Sequence, residues 1–333
     1  MDAVSLHHRA YVADAHADSL LWNRDLRVRQ HEGHVDFVRL REAGVRLQAF
    51  TIVTRGFPVV GGFRAFAAWN GWPRSARSSP WARAQFQISR LHAFCGDTAA
   101  RARVVTSRAE LEAAERDEVL ACVLGIEGGD ALEGQVGRVA ELARQGVRFL
   151  GLTHLSANRL GGSATPGMRS RGLSAYGVEV VQAMGACGLA VDVAHASPPL
   201  LQALLAQKQA PVFCSHTGVR GATAHWRNLP DEALSAIADR GGVVGILFGT
   251  VYLGGKELSD VARHLEHAVK VMGEEGVCLG SDFDGLVGLP RGMRDVCDLP
   301  RLTELLLARG HPWQRVEKLL GQNLRRFFSG VLG

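Results

Sequence analysis

Eight short runs of β-branched and other apolar residues recur along the chain: Tyr11–His16, Arg46–Thr51, Leu120–Ile126, Phe149–Thr153, Leu189–Ala194, Pro211–Ser215, Gly242–Leu247 and Val277–Ser281. Each has the length and composition of a buried strand. Between most of them lie stretches with helical periodicity, at Leu132–Gln145, Tyr176–Ala186, Pro199–Gln207, Asp231–Asp239 and Ser259–Met272, the first two closed by Gly146 and Gly188. A strand followed by a helix, repeated, dictates parallel strands joined by right-handed crossovers. A doubly wound open sheet also alternates in this way, but it calls for a glycine-rich phosphate turn after an early strand, and none is visible. The expected fold is therefore an α/β (β/α)8 barrel with loop insertions on its active-site face. Chemically useful residues follow at least six of the strands, and a barrel converges its strand ends on one site.

At 333 residues, 47% hydrophobic, the chain can fill one large core, and barrels with insertions use about 250 to 400 residues. One domain, residues 1–333, is expected. Two segments fall outside the repeat. Phe57–Ala84, with Trp69, Trp72 and Trp81, reads as a loop with a short helix over the second strand's end, and Leu155–Leu173 as a polar loop after the fourth. Either could shape a pocket or close as a lid. Leu302–Arg309 and Pro312–Phe328 read as two terminal helices, with Asn323 given no role beyond a turn or packing.

The net charge of +5 comes from arginines scattered among acids, without the basic block that a nucleic-acid partner needs. No basic segment followed by an apolar stretch and a small-residue cleavage site opens the sequence, and no apolar run approaches the roughly 20 residues of a membrane span. The six cysteines show no C-x-x-C spacing and read as buried free thiols in a reducing compartment. The expectation is a cytoplasmic protein without nucleic-acid or membrane partners, with homodimerisation left open.

Acids and histidines stand at the ends of the apolar runs. In His16-Ala17-Asp18, residues i and i+2 of an extended segment point to the same side, so both can reach one metal ion. Glu127 closes ACVLGIEGG, where an unpaired carboxylate is costly to bury and calls for either a salt bridge or a metal. His195 ends GLAVDVAH and His216 ends APVFCSH, on successive strands. These five groups suffice for two borderline-soft divalent ions with open positions, zinc above all. Many two-metal barrels bridge their ions with a carboxylated lysine, but Lys208, Lys256, Lys270 and Lys318 lie away from the strand ends, which leaves Glu127 as the bridge. Asp282, in SDFDG, can shuttle a proton between an attacking water and a leaving group, or serve as a third ligand type. Asp284 is expected to turn away as a loop acid. His154, in FLGLTH, is either a sixth ligand or a donor to a developing oxyanion. Arg227 is either a clamp on a substrate carboxylate or an exposed salt-bridging residue.

The segments DAHAD, GIEGG, LTH, DVAH, SHTG with WRNLPDEAL, and GSDFDG resemble, in order and spacing, the renal or membrane dipeptidase family of zinc metallopeptidases, as a bacterial-type member. The similarity runs from about Ala13 to Phe328. It implies a barrel with two zinc ions that cleaves dipeptides, with His16 and Asp18 on one zinc, His195 and His216 on the other, and Glu127 between them. It further implies Asp282 as proton shuttle, His154 at the scissile carbonyl and Arg227 on the substrate carboxylate. The animal members are secreted, lipid-anchored and disulfide-linked, whereas this sequence shows neither leader nor anchor signal, and its cysteines do not sit where those bridges form. They also carry a carboxylate-binding tyrosine at the end of the seventh strand. Here Gly249 stands near that place, with Tyr252 three residues on.

The expected activity is hydrolysis of L-Xaa-L-Xaa or L-Xaa-D-Xaa dipeptides by a metal-bridging hydroxide, with other divalent ions able to replace zinc. The alternatives are a metal-dependent hydrolase of another small amide or a lactone, and a non-catalytic protein that keeps the fold for binding.

Overall fold

The computed structural model describes residues 2–55 and 62–333. Its strands are β1 (Val12–Ala17), β2 (Val45–Val53), β3 (Ala102–Val104), β4 (Leu120–Glu127), β5 (Val147–Gly151), β6 (Ala190–Asp192), β7 (Val212–Thr217), β8 (Val244–Ile246) and β9 (Val277–Leu279). All pair in parallel, and the order β2-β1-β9-β8-β7-β6-β5-β4 closes through β2 against β4 into an eight-stranded barrel. Each of the eight expected runs overlaps one barrel strand, though β1, β2, β4 and β7 extend past the expected ends.

The short β3 was not expected from the sequence. It pairs Ala102–Val104 with Leu120–Cys122 of β4, while β5 pairs with the same strand from Leu124 onward. Since β2 occupies the other edge of β4 along Ala121–Glu127, β3 and β5 lie end to end on one edge. Three residues are too few to show an apolar period, so only the neighbouring strand reveals it.

Period-two alternation sorts the strands into two apolar layers. On β4, Leu120, Cys122, Leu124 and Ile126 pack outward against the helices, whereas Ala121 and Val123 face the lumen. Phe149, Phe213 and Cys278 join them inside, and Leu324, Phe327 and Phe328 of the last helix plug the bottom. Glu127 shares the parity of Ala121 and Val123, so it emerges at the top of the lumen.

The helices differ from expectation where the backbone is forced. After β4 a short 3-10 turn, Gly129–Leu132, precedes a helix that begins only at Arg138, because Glu133 and Gly134 adopt left-handed φ values of 47° and 82°. The terminal stretch is divided into Trp313–Glu317, a π-type turn at Lys318–Gln322, and Asn323–Val331. At Gly321 the chain presses on β1 so closely that a Cβ would collide with the carbonyl oxygen of Tyr11. Asn323, left without a role above, donates to the carbonyls of Glu274 (2.6 Å) and Val277 (2.8 Å) and so ties the last helix to β9.

Residues 57–61 of the tryptophan-rich segment lie outside the described residues. The remainder is more helical than a loop, with Gly62–Trp69, a 3-10 turn at Ser75–Arg77, and Pro80–Cys95, which is capped by Ser79. Trp72 is fully buried with Phe63, Phe66 and Val53, while Trp69 stays exposed. Among the described residues no helix is long and apolar enough to cross a membrane. All six cysteines are free; Cys122, Cys214 and Cys278 are buried and the other three half-buried.

Candidate metal centre

Strict alternation would put His16 on the outward side with Val12, and His216 with Val212 and Cys214. Both strands break register just before the histidine. Asp14 to Ala17 of β1 spans Gln48 to Phe50 of β2, and Cys214 to Thr217 of β7 spans Val244 to Ile246 of β8. One extra residue in each strand is a β-bulge, which re-aims the following side chains. The two rings meet over the lumen with centroids 3.8 Å apart. Asp18 also departs from the extended geometry expected of it: β1 ends at Ala17, and Asp18 opens a 3-10 turn.

The cluster centres on Glu127. Its Oε1 lies 2.9 Å from Nε2 of His195 and 3.6 Å from that of His216, and its Oε2 lies 3.7 Å from His154 and 3.9 Å from His16. His16 Nε2 is 3.6 Å from Asp18 Oδ1 and 3.9 Å from Asp282 Oδ1. Three triads therefore have converging donor atoms: His16, Glu127 and His216; Glu127, His154 and His195; and His16, Asp18 and Asp282. His154 also turns its Nδ1 toward the carbonyl of Arg55 at 3.2 Å. Glu127 makes no ion pair with lysine or arginine among the described residues; its charged partners are the histidines His16, His154, His195 and His216.

The electrostatics show what this arrangement lacks. Burial pushes Glu127 up, and it pushes Asp282 well above the carboxylate range, reinforced by Asp18 and Glu127. Burial pushes His195 and His216 well below the usual imidazole value, with Arg227 adding to it in both. For His16 burial opposes the charge, but Glu127, Asp18 and Asp282 outweigh it and raise the pKa to about 10. Glu127 Oε2 and His195 Nδ1 are buried without a hydrogen-bond partner, and the Nε2 atoms of His195 and His216 face each other at 3.0 Å. Three carboxylates, converging imidazole nitrogens and an orphaned carboxylate oxygen fit divalent cations, for which mixed nitrogen and oxygen donors are the usual set.

Arg227 is buried rather than exposed, contrary to its plain surface reading. Its loop pairs with the residues just past β7 through Leu229 N to Gly218 O (3.0 Å) and Arg220 N to Leu229 O (2.8 Å). The Nη2 group then reaches Nε2 of His216 (2.8 Å) and donates to that residue's carbonyl (3.0 Å). Among the described residues Arg227 makes no ion pair. Asp284 does turn away from the cluster, but it is no surface acid: it is buried and accepts from Ser19 Oγ (2.5 Å), Arg24 Nη2 (2.6 Å) and His34 N (2.7 Å). It fastens the loop after β9 to the loop after β1.

Several supporting residues escaped the sequence reading. Thr51 donates to Asp18 Oδ1 at 2.6 Å, and Ser215 lies between two of the histidines. Asn228 donates to the carbonyl of Tyr252 at 2.9 Å. Thr51 and Ser215 are ordinary polar residues near strand ends and Asn228 lies in the loop after β7, so only proximity marks them. A cavity of about 350 Å³ opens over the cluster, with Tyr252 and the apolar Val251, Leu286 and Val287 in its wall.

Fold and donor set together define a metal-dependent hydrolase built on a (β/α)8 barrel. The chain belongs to the membrane dipeptidase family, peptidase family M19, whose model matches residues 1–331, and it is thus an enzyme of the metallo-dipeptidase class. It is 34% identical over 257 residues, 74% of this chain and 94% of the relative, to the uncharacterized protein in the pqqA 5′ region of Klebsiella pneumoniae. The probable dipeptidase PvdM from Pseudomonas aeruginosa shares the fold, with a TM-score of 0.87 at 20% identity over 99% of this chain and 97% of that one. A metallopeptidase from Rhodobacter sphaeroides, solved with a phosphinate mimic of the dipeptide L-Ala-D-Ala, superimposes with a TM-score of 0.82 at 25% identity, covering 96% and 98%.

Proposed function

We propose that the whole chain, residues 1–333, works as one catalytic domain that hydrolyses free dipeptides at a centre of two zinc ions. His16 and Asp18 would hold one ion, His195 and His216 the other, and Glu127 would bridge them. When bound, the ions supply Lewis acidity for the scissile carbonyl and lower the pKa of a water. The remaining work falls to the chain's own groups. His154 donates to the carbonyl oxygen as negative charge builds there. Asp282 accepts the proton of the attacking water and returns it to the departing amine. L-Xaa-L-Xaa and L-Xaa-D-Xaa substrates both suit this reading, and the mimic held by the Rhodobacter sphaeroides relative supports the second.

The observation that carries the dipeptide reading is Arg227, a buried guanidinium without a carboxylate partner among the described residues. Such a charge is expensive to bury unpaired, and the free C-terminal carboxylate of a dipeptide would pair it. A longer peptide or an amide places a neutral group there. Losing such a pair costs about 2 to 5 kcal/mol. Arg227→Met is therefore expected to raise KM for a good dipeptide at least roughly tenfold and to narrow the preference for free dipeptides over their C-terminal amides. Steady-state kinetics on matched acid and amide pairs check this. Equal cleavage of both by the wild type would favour a hydrolase of other small amides or lactones instead.

The cavity wall adds a side-chain preference. Val251 and Leu286 are 63% and 58% exposed at its mouth, and large apolar groups in a concave site gain most from apolar ligands. Burying a leucine-sized side chain is worth about 1.5 to 3 kcal/mol. Dipeptides with one leucine are expected to exceed aspartate counterparts in kcat/KM at least roughly tenfold. A flat profile across such a set would count against the wall as a specificity element.

A further inference from the structure

Ser215 is fully buried on β7, and its Oγ lies 3.1 Å from Nδ1 of His16 and 2.9 Å from Nδ1 of His216. Those imidazoles come from different strands; both Nε2 atoms face Glu127, but His16 also turns its Nε2 toward Asp18 and Asp282, and His216 toward His195. We propose that Ser215 is a positioning residue that holds both imidazoles in the same tautomer, so that one hydroxyl couples the two halves of the metal centre. The inference rests on the reading above that His16 and His216 each hold an ion.

A neutral imidazole carries one N–H, and a nitrogen that binds metal carries none. If Nε2 is the ligand atom in both rings, both protons sit on Nδ1 and each needs an acceptor. A hydroxyl oxygen has two lone pairs and can accept from both at once. No other acceptor lies within hydrogen-bond reach of either Nδ1 among the described residues. The contrast with the other two histidines is clear: His154 Nδ1 faces a backbone carbonyl and His195 Nδ1 faces no acceptor. Ser215 is itself anchored, since its backbone N–H donates to Asp192 Oδ1 at 2.9 Å, and the same oxygen accepts from Ala194 at 3.0 Å. The bulge of β7 is thereby tied to β6, and the hydroxyl stands under both rings.

Outer hydrogen-bond partners of metal-bound histidines are typically worth about 10- to 100-fold in metal affinity. Zinc titration of the purified chain against a chromophoric chelator is expected to show two sites in the wild type, both weakened about 10- to 100-fold in Ser215→Ala. Ser215→Thr, which keeps the hydroxyl, should recover most of the loss. Long-range proton–nitrogen spectra of the zinc-loaded wild type, which need no variant to fold, should show His16 and His216 both protonated at Nδ1. The inference is overturned if Ser215→Ala binds both ions as the wild type does, if only one site weakens, or if either ring is protonated at Nε2. Wild-type protein that takes up fewer than two zinc ions overturns the two-ion reading itself, and this inference with it.

Discussion

Removing metal with a chelator is expected to abolish dipeptide hydrolysis, and zinc or a similar divalent ion to restore it. The reason lies in the charges gathered at the strand tips. Asp18, Glu127 and Asp282 all lie within 4 Å of one imidazole nitrogen, at 3.6, 3.9 and 3.9 Å, and Glu127 Oε2 is left without a hydrogen-bond partner. A cluster of buried carboxylates is costly without cations to neutralise it. Elemental analysis of active protein should find about two ions per chain, as expected for sites with mixed nitrogen and oxygen donors and a shared carboxylate. One tightly bound ion at full activity would sink the two-ion mechanism.

Asp282→Asn is expected to lower kcat by roughly 100-fold or more while metal content stays near that of the wild type. Asp282 sits just past β9 with φ at +63°, an uncommon conformation for a non-glycine residue that points to a local constraint. Its backbone N–H donates to the carbonyl of His16 at 3.2 Å, which locks the residue beside the cluster. Gly285 lies so close that a Cβ there would collide with Asp282 Oδ1, so the turn after β9 leaves room for this carboxyl alone. Burial raises its pKa, as the proposed shuttle role would require of a group that holds a proton during part of the cycle. Asp282 also belongs to a triad with His16 and Asp18, so a ligand role has its own signature. Loss of an ion from Asp282→Asn, measured on the same sample as kcat, would replace the proton shuttle with a third carboxylate ligand.

The barrel was legible because its strands are apolar on both faces and its helices are amphipathic, two local patterns that survive in any reading of the chain. Strand β3 was not, because three residues hold no period and their pairing depends on β4. The helix expected from Leu132 starts late for a different reason: its periodicity is real, but the left-handed backbone at Glu133 and Gly134 cannot be part of a helix. The tryptophan-rich segment reads as a loop from its glycines and arginines, yet Trp72 has apolar partners to bury against in Phe63 and Phe66. Burial won over composition.

By itself the sequence determined which chemical groups this protein carries, that they stand at the ends of successive strands, and that such strands close into a barrel, because each of these follows from local period and order along the chain. Only the tertiary structure decided how the groups face one another. The bulges that turn His16 and His216 into the lumen depend on register against β2 and β8. The shared contact of Ser215 depends on β1 and β7 meeting across that lumen, and the burial of Arg227 depends on a loop that pairs with the residues just past β7. The bulges and the Ser215 contact are relations between segments distant in sequence, and residue spacing along one segment holds no record of them.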